Sequence, residues 1–267
     1  MVHENVVLWG RRLPSSLRPQ LYVNIFDEMG VDWEAIVDRR DTEREARFVE
    51  DVVPKESFLL DLCCGTGRHS IILSENGLRV IGMDLSRNLL RIAKQRMEEA
   101  GVEFPLVRGE MRQFPFRDNV FSSVISMFTS FGYLPSEAED NKSFREISRT
   151  LTKGGVFLLD VANFEHVKRN FRARDWAEFE PYYMLEERSL SLKNPRLTSN
   201  WTLIRKRTCQ SELILHEVRL YTLGRLRNMF KKSRLVVRRL YGGYDKQRFS
   251  PKASRMIVIA QKPKTTS

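Results

Sequence analysis

Cysteine is scarce. The 267 residues contain three, Cys63, Cys64 and Cys209, with no CxxC spacing, which excludes a disulfide framework and a zinc module. The four histidines stand apart, and no set of His, Cys and acid has zinc-ligand spacing, so no metal is expected. Long apolar runs are missing as well. Without a stretch of about 18 apolar residues a membrane-spanning helix is excluded. Without a charged-then-apolar leader a secretory route is not expected, so the reading is a cytoplasmic protein with no membrane partner. Internal repeats and low-complexity segments are also absent, which excludes solenoids and arrays.

An acidic balance is missing too, and the shortage is local. Forty-five Lys and Arg face 34 Asp and Glu, a net charge of +11. From Arg172 to the end the count is 22 basic against 8 acidic, whereas residues 1–171 carry 23 against 26. The excess therefore sits in the last third, where a basic face could meet an anionic substrate, RNA or only solvent.

What is present is 42% hydrophobic residues, enough to fill the core of one α/β domain of ordinary size with an embellishment. The chain is organised around Phe58-Leu-Leu-Asp-Leu-Cys-Cys-Gly-Thr-Gly-Arg-His-Ser70. A short Leu-rich run ends at Asp61 and Leu62, turns through Gly65 and Gly67, and enters a helical pattern at Ile71, Ile72 and Leu73. Strand, glycine loop and helix in this order put a ligand at the carboxyl end of the first strand of an open sheet, against unpaired N–H groups of the helix start. Glycine there lets a ligand approach the main chain and tolerates positive φ.

Two acids define the ligand. Asp61, four residues before Gly65, would repel a pyrophosphate and welcome an ammonium group. Asp84 ends the run Arg79-Val-Ile-Gly-Met-Asp84, nineteen residues beyond Gly65, a spacing at which an acid takes both hydroxyls of a ribose. A ribose and an amino-acid ammonium without phosphate describe S-adenosylmethionine. The stretch resembles motif I of the class I S-adenosylmethionine-dependent methyltransferases, and Asp84 matches their acid after the second strand.

The remaining pattern agrees with that resemblance. Five strands are expected, near 58–62, 79–83, 103–108, 121–127 and 156–161, alternating with helices capped by Ser86 and Ser136. Alternation with short loops calls for a mostly parallel sheet. From about Tyr182 to Tyr221 the period switches to two, which reads as two or three antiparallel strands inserted where a helix is due. Thr222 then caps a helix, and strands near 234–240 and 256–260 follow. The expected fold is α/β: a Rossmann-like seven-stranded, mostly parallel sheet with helices on both faces and an antiparallel β insertion after strand 5. The domain limits are 1–53 for an N-terminal arm and covering helices, 54–177 with 222–267 for the catalytic domain, and 178–221 for an inserted substrate-binding lid. In the covering segment Tyr22 and Trp33 are candidates for cofactor or substrate contact.

Asp61 to Ser70, Phe128-Thr-Ser-Phe-Gly-Tyr133, Leu159-Asp160-Val-Ala-Asn163, Arg174-Asp-Trp176 and Tyr241-Gly-Gly243 together are similar to a group of archaeal and bacterial methyltransferases whose insertion lines the substrate chamber. The resemblance implies that Asp61, Cys63, Gly65, Thr66, Gly67 and His69 border the methionine part of the cofactor. It further implies that Asp84 and Leu85 hold the ribose, Glu110 and Met111 the adenine, and that Met127 lies beside the sulfonium. Glu110 stands where many relatives have Asp, and the Asn/Asp-Pro-Pro-Tyr/Phe motif of enzymes that methylate base amines does not follow strand 4. If a general base exists, Tyr133, Asp160 and His166 are the candidates. The expected partner is a small-molecule methyl acceptor, with the protein a monomer or homodimer. RNA or protein as acceptor is the alternative, resting on the basic last third. An NAD-dependent oxidoreductase would share Gly65, Gly67 and Asp84, but Ser70 replaces its third glycine.

Overall fold

The computed structural model describes Phe26 and residues 41–264. Tyr22, Trp33 and most of the expected covering segment lie outside the described residues. The first described helix, α1 (Thr42–Val52), is capped by Asp41, whose carboxylate accepts the Arg44 backbone N–H at 2.9 Å. Ala46, Phe48 and Val49 form its buried face.

The alternating half of the chain then lays down β1 (Phe58–Leu62), α2 (Arg68–Glu75), β2 (Arg79–Asp84), α3 (Arg87–Glu99), β3 (Leu106–Arg108), β4 (Phe121–Ser126), α4 (Glu137–Thr150) and β5 (Leu151–Ala162). Ser86 and Ser136 cap α3 and α4 through their side chains, as their spacing predicts. Gly77, at φ +88°, ends the first of these α/β turns in the left-handed region where a helix stop favours glycine.

A short helix, α5 (Phe164–Arg169), leads into β6 (Arg174–Phe179), β7 (Tyr182–Ser191), β8 (Arg196–Arg205) and β9 (Ser211–Arg219). These four make their own antiparallel sheet in sequential order. The insertion is thus larger than the two or three strands expected and opens at Arg174, ahead of the limit set at 178. The reason is visible in β6, where Arg174, Asp175 and Glu178 flank a Trp176 that is 64% exposed, so no apolar stripe marks the strand.

After the insertion come α6 (Leu223–Lys232), β10 (Val236–Tyr241) and β11 (Arg255–Gln261). The large sheet has the order β10-β11-β5-β4-β1-β2-β3, with β11 antiparallel to both neighbours and β1 to β5 mutually parallel. This is the expected Rossmann-like architecture. Period two in β1 divides the core: Leu60 and Leu62 face Phe121, Phe144, Phe157 and Phe230, while Leu59 faces Phe48, Val49 and Leu73. Each fully buried Leu or Phe contributes roughly 1.5–3 kcal/mol, so helices on both faces are needed to cover the sheet. The strand order reverses between β1 and β4, which leaves a crevice at their carboxyl ends.

Candidate active site

The crevice is a cavity of about 300 Å³. Its floor comes from the strand exits after β1, β2 and β4, and its roof from Leu197, Trp201, His216 and Val218 of the insertion. Asp61, Cys63, Gly65, Thr66, His69, Asp84, Leu85, Glu110, Met111, Met127 and Tyr133 all line it, so eleven of the predicted residues meet in one place.

The loop after β1 is held by main-chain bonds. Cys63, at φ +61°, and Cys64 both donate their N–H to the Met83 carbonyl, at 2.7 and 3.1 Å. Burial raises both thiols well above the usual cysteine range, so they are neutral packing groups rather than nucleophiles. Gly65 donates to Asp84 Oδ2 at 2.9 Å, and Ser86 N–H donates to Asp84 Oδ1 at 2.9 Å. Burial pushes the Asp84 carboxyl up, against these backbone bonds. Each Asp84 oxygen keeps a lone pair for a second donor. A Cβ on Gly65 would meet nothing within 4 Å, so it would stand in the cavity. Gly67 is different. It does not line the cavity; at φ +75° it starts α2, and a Cβ there would stand 3.2 Å from Ala93 Cβ. Its glycine is required by backbone conformation and the packing of α2 on α3, which corrects its assignment to the cofactor.

Asp61 is 1% exposed and accepts the Ser70 hydroxyl at 2.7 Å; burial raises its pKa, against the charge of His69 and the Ser70 bond. His69 donates from Nε2 to Glu45 Oε2 at 2.7 Å, and Arg68 pairs with the same oxygen at 2.6 Å. Burial opposes ionisation of Glu45, but the His69 bond and the Arg68 charge outweigh it and bring its carboxyl down to about 2. Arg68 Nη2 remains buried without a partner in the cavity wall. Glu110 also lines the cavity, with its carboxylate accepting from Arg112 at 2.8 Å.

Two of the three base candidates are corrected. Asp160 is 0% exposed and saturated: Phe128 N–H at 2.9 Å, Tyr244 hydroxyl at 2.7 Å, and Arg255 Nε and Nη2, both at 2.7 Å, donate to it. A carboxylate so engaged cannot take a substrate proton; it braces the loop after β4. The same bracing explains why Phe128 and Thr129 hold φ of +58° and +63°, a conformation that is strained for a β-branched residue. Thr129 N–H donates to the Asp160 carbonyl at 2.9 Å, and its hydroxyl accepts from Ala162 N–H and Arg255, both at 3.0 Å. His166 sits on α5 outside the cavity wall, its Nδ1 bonded to the Lys252 carbonyl at 2.9 Å. Only Tyr133 remains inside. Its hydroxyl bonds His216 Nε2 at 2.6 Å, and His216 stacks on Trp201 with ring centroids 4.9 Å apart and planes 14° apart. Burial raises the Tyr133 phenol and lowers His216 to about 4, so both are neutral near pH 7.

Sequence reasoning found no geometry for His216 and passed over Arg68, Arg255 and Trp201. The available signal was the alternation of Ile214, His216 and Val218, which puts a polar ring on an otherwise apolar face of β9.

Comparison with known proteins bears on the floor of this cavity. Residues 59–155 match a methyltransferase domain family. The chain carries a class I methyltransferase fold. A putative methyltransferase of Bacillus subtilis, YqeM, is 32% identical over 115 residues, covering 43% of this chain and 46% of that protein. The dTDP-3-amino-3,4,6-trideoxy-alpha-D-glucopyranose N,N-dimethyltransferase of Streptomyces venezuelae is 34% identical over 125 residues, 45% of this chain and 51% of its own. These matches span about half the length of the relatives. The fold similarity is wider: the CcbJ methyltransferase of Streptomyces caelestis superposes with a TM-score of 0.78 at 17% identity, covering 91% of this chain and 98% of that one. The amino pentose methyltransferase CalS10 of Micromonospora echinaspora, solved with S-adenosylmethionine bound, gives 0.65 at 20% identity over 86% and 96%. The matched residues 59–155 thus supply the cavity floor, and the roof lies outside the family match.

Proposed function

We propose that this chain is an S-adenosylmethionine-dependent methyltransferase whose acceptor is a small molecule. The observation that carries this reading is the sharing of one cavity by the glycine loop, with Gly65 and Asp84, and the inner face of the insertion, with Trp201 and His216. A cavity walled by the sheet on one side and the insertion on the other suits a small acceptor better than a polymer.

The residues fit the cofactor. Asp84 offers two acceptor oxygens for the ribose hydroxyls, Gly65 leaves room for close passage of the chain, and Asp61 is buried beside the loop to meet an ammonium group. Arg68 Nη2, buried and without a partner, would pair with the amino-acid carboxylate. S-adenosylmethionine, when bound, supplies an electrophilic methyl group on a sulfonium. The protein's own part is to orient the acceptor, exclude water and take up a proton where the acceptor has one to lose. Met127 and Phe128 wall the cavity at the β4 exit, and Asp160 with Arg255 holds that wall rigid. An amino group on a sugar is the first acceptor to test, because such sugars stand in the names of similar proteins.

The test is calorimetric titration with S-adenosylmethionine, S-adenosylhomocysteine and NAD(H), repeated in Asp84→Ala. Binding of the two adenosyl ligands alone, weakened about 100-fold in the mutant, is expected from the loss of two charge-assisted bonds. Binding of NAD(H) alone would overturn the reading. Acceptors are then screened with labelled methyl donor, amino sugars before RNA.

A further inference from the structure

The roof of the cavity contains two polar atoms with nothing to bond. His216 is 7% exposed, lines the cavity, and its Nδ1 is buried without a hydrogen-bond partner. Trp201, on the neighbouring strand β8, lines the same cavity, and its Nε1 is likewise buried and unpartnered. Folded proteins rarely leave buried polar groups unmatched, and two on stacked rings of residues that line one cavity call for a common cause. A purely structural histidine would be explained by its bond to Tyr133, but that bond does nothing for the indole.

The proton positions decide what the pair can hold. An indole Nε1–H is a donor only. Burial keeps the Tyr133 phenol protonated and His216 neutral. The Tyr133 hydroxyl has no acceptor other than His216 Nε2, at 2.6 Å, among the described residues, so directing its proton there satisfies it and leaves the single ring proton on Nδ1, the atom without a partner. Two buried N–H donors then await an acceptor, and an ammonium or a hydrocarbon cannot supply one.

We propose that His216 and Trp201 are the acceptor-recognition pair, two N–H donors that hold an oxygen atom of the methyl acceptor, with Tyr133 as the positioning residue that fixes the histidine tautomer. This rests on the methyltransferase reading of the same cavity. The ligand chemistry is an oxygen acceptor, borne by a hydroxyl, a carbonyl or a carboxylate. The methyl acceptor therefore carries an oxygen at the end of the cavity roofed by β8 and β9.

The experiment is ¹⁵N–¹H NMR on the whole chain, with the Trp201 indole assigned through Trp201→Phe and the His216 ring through His216→Phe. Three probes each present one oxygen class: ethylene glycol, acetamide and acetate; tetramethylammonium carries none. The expected result is a His216 ring protonated at Nδ1 in the free protein. At least one oxygen probe should move the Trp201 Nε1–H and His216 Nδ1–H signals together and saturably, while tetramethylammonium moves neither. In His216→Phe the response of Trp201 should weaken roughly tenfold, as for one lost hydrogen bond. Tyr133→Phe should shift the proton from Nδ1 to Nε2 or populate both. That variant keeps the claim testable if His216→Phe fails to fold. A wild-type ring protonated at Nε2, silence of both nitrogens to all three oxygen probes, or an equal response to tetramethylammonium would overturn the proposal. S-adenosylhomocysteine titrated into the wild-type protein is scored separately. Its binding together with silent nitrogens removes the donor pair and leaves the methyltransferase reading, whereas responsive nitrogens without its binding do the reverse.

Discussion

At the scale of single residues, titration separates groups that look alike in sequence. His216 has an ordinary pKa of 6.5 and is lowered to about 4 by burial, so between these values the unfolded chain binds a proton that the native protein refuses. Its contribution to stability is present above pH 6.5 and is lost as pH falls toward 4, at most about 3 kcal/mol. Urea denaturation across this window should show the decline, and His216→Phe should flatten it. Glu45 behaves in the same sense at lower pH: its contribution is present above its ordinary 4.5 and lost as pH falls through about 2. Asp160 makes a different kind of prediction. Asp160→Asn leaves the buried Arg255 without its counter-charge, and a loss of about 3–5 kcal/mol is expected in the same denaturation measurement. A catalytic base would lose rate and keep stability. Asp160 was visible in sequence as an acid at the end of a strand, but nothing local revealed that Arg255, 95 residues away, and Tyr244, 84 away, occupy it.

At the scale of elements, two glycines make opposite predictions. Gly132, at φ +108°, lies where β9 docks on the loop after β4; its carbonyl accepts Arg219 N–H at 2.9 Å, and a Cβ would stand 2.3 Å from the Arg219 carbonyl. Gly132→Ala must push the insertion away and should cost at least about 2 kcal/mol, read as a lower urea midpoint. Gly65→Ala meets no protein atom and pays only left-handed strain of about 1–2 kcal/mol, yet its methyl enters the cavity. Calorimetry should therefore show the larger loss of S-adenosylhomocysteine binding in Gly65→Ala. The same dock is closed by Arg219, which pairs with Asp140 and donates to the Leu134 carbonyl at 3.1 Å, and by the Tyr221 hydroxyl, 2.6 Å from Asp140. Asp140 is 0% exposed, and burial pushes its carboxyl up to about 6 against the Arg219 charge. The helices, their caps and the large sheet were legible because apolar periodicity and capping residues act within a few positions. The first strand of the insertion was not, because its exposed Trp176 and charged neighbours erase the pattern.

At the scale of the whole molecule, the basic last third resolves into two parts. Within and around the insertion the charges are paired: Arg174 with Glu187, Arg188 with Asp175 and Glu186, Arg196 with Glu217, and Lys206 with Glu178 and Glu180. Half of the net excess of the last third lies in α6 and the start of β10, where residues 223–239 hold seven Lys and Arg and no acid. None of those seven lines the cavity. A polymer bound there would not present its acceptor to the floor of the site, so RNA affinity should fall steeply with salt while S-adenosylhomocysteine affinity stays nearly level. Parallel salt titrations of the two ligands check this, and methylation of RNA as steep in salt as its binding would contradict it.

The sequence by itself determined the sheet, its strand types and the floor of the site, because Asp61, Gly65 and Asp84 are placed by short strands and one tight loop whose geometry is local. It also determined that an antiparallel insertion follows the fifth strand. Only the tertiary structure decided which acid keeps room for a ligand and which is saturated, since Asp84 accepts one backbone N–H on each oxygen whereas Asp160 accepts the Phe128 N–H together with side chains from β11 and the turn before it. It alone brought Tyr133 to His216, 83 residues apart, and set Trp201 against that histidine. Contacts of that separation depend on how one sheet docks on another, and no periodicity within either sheet encodes the docking.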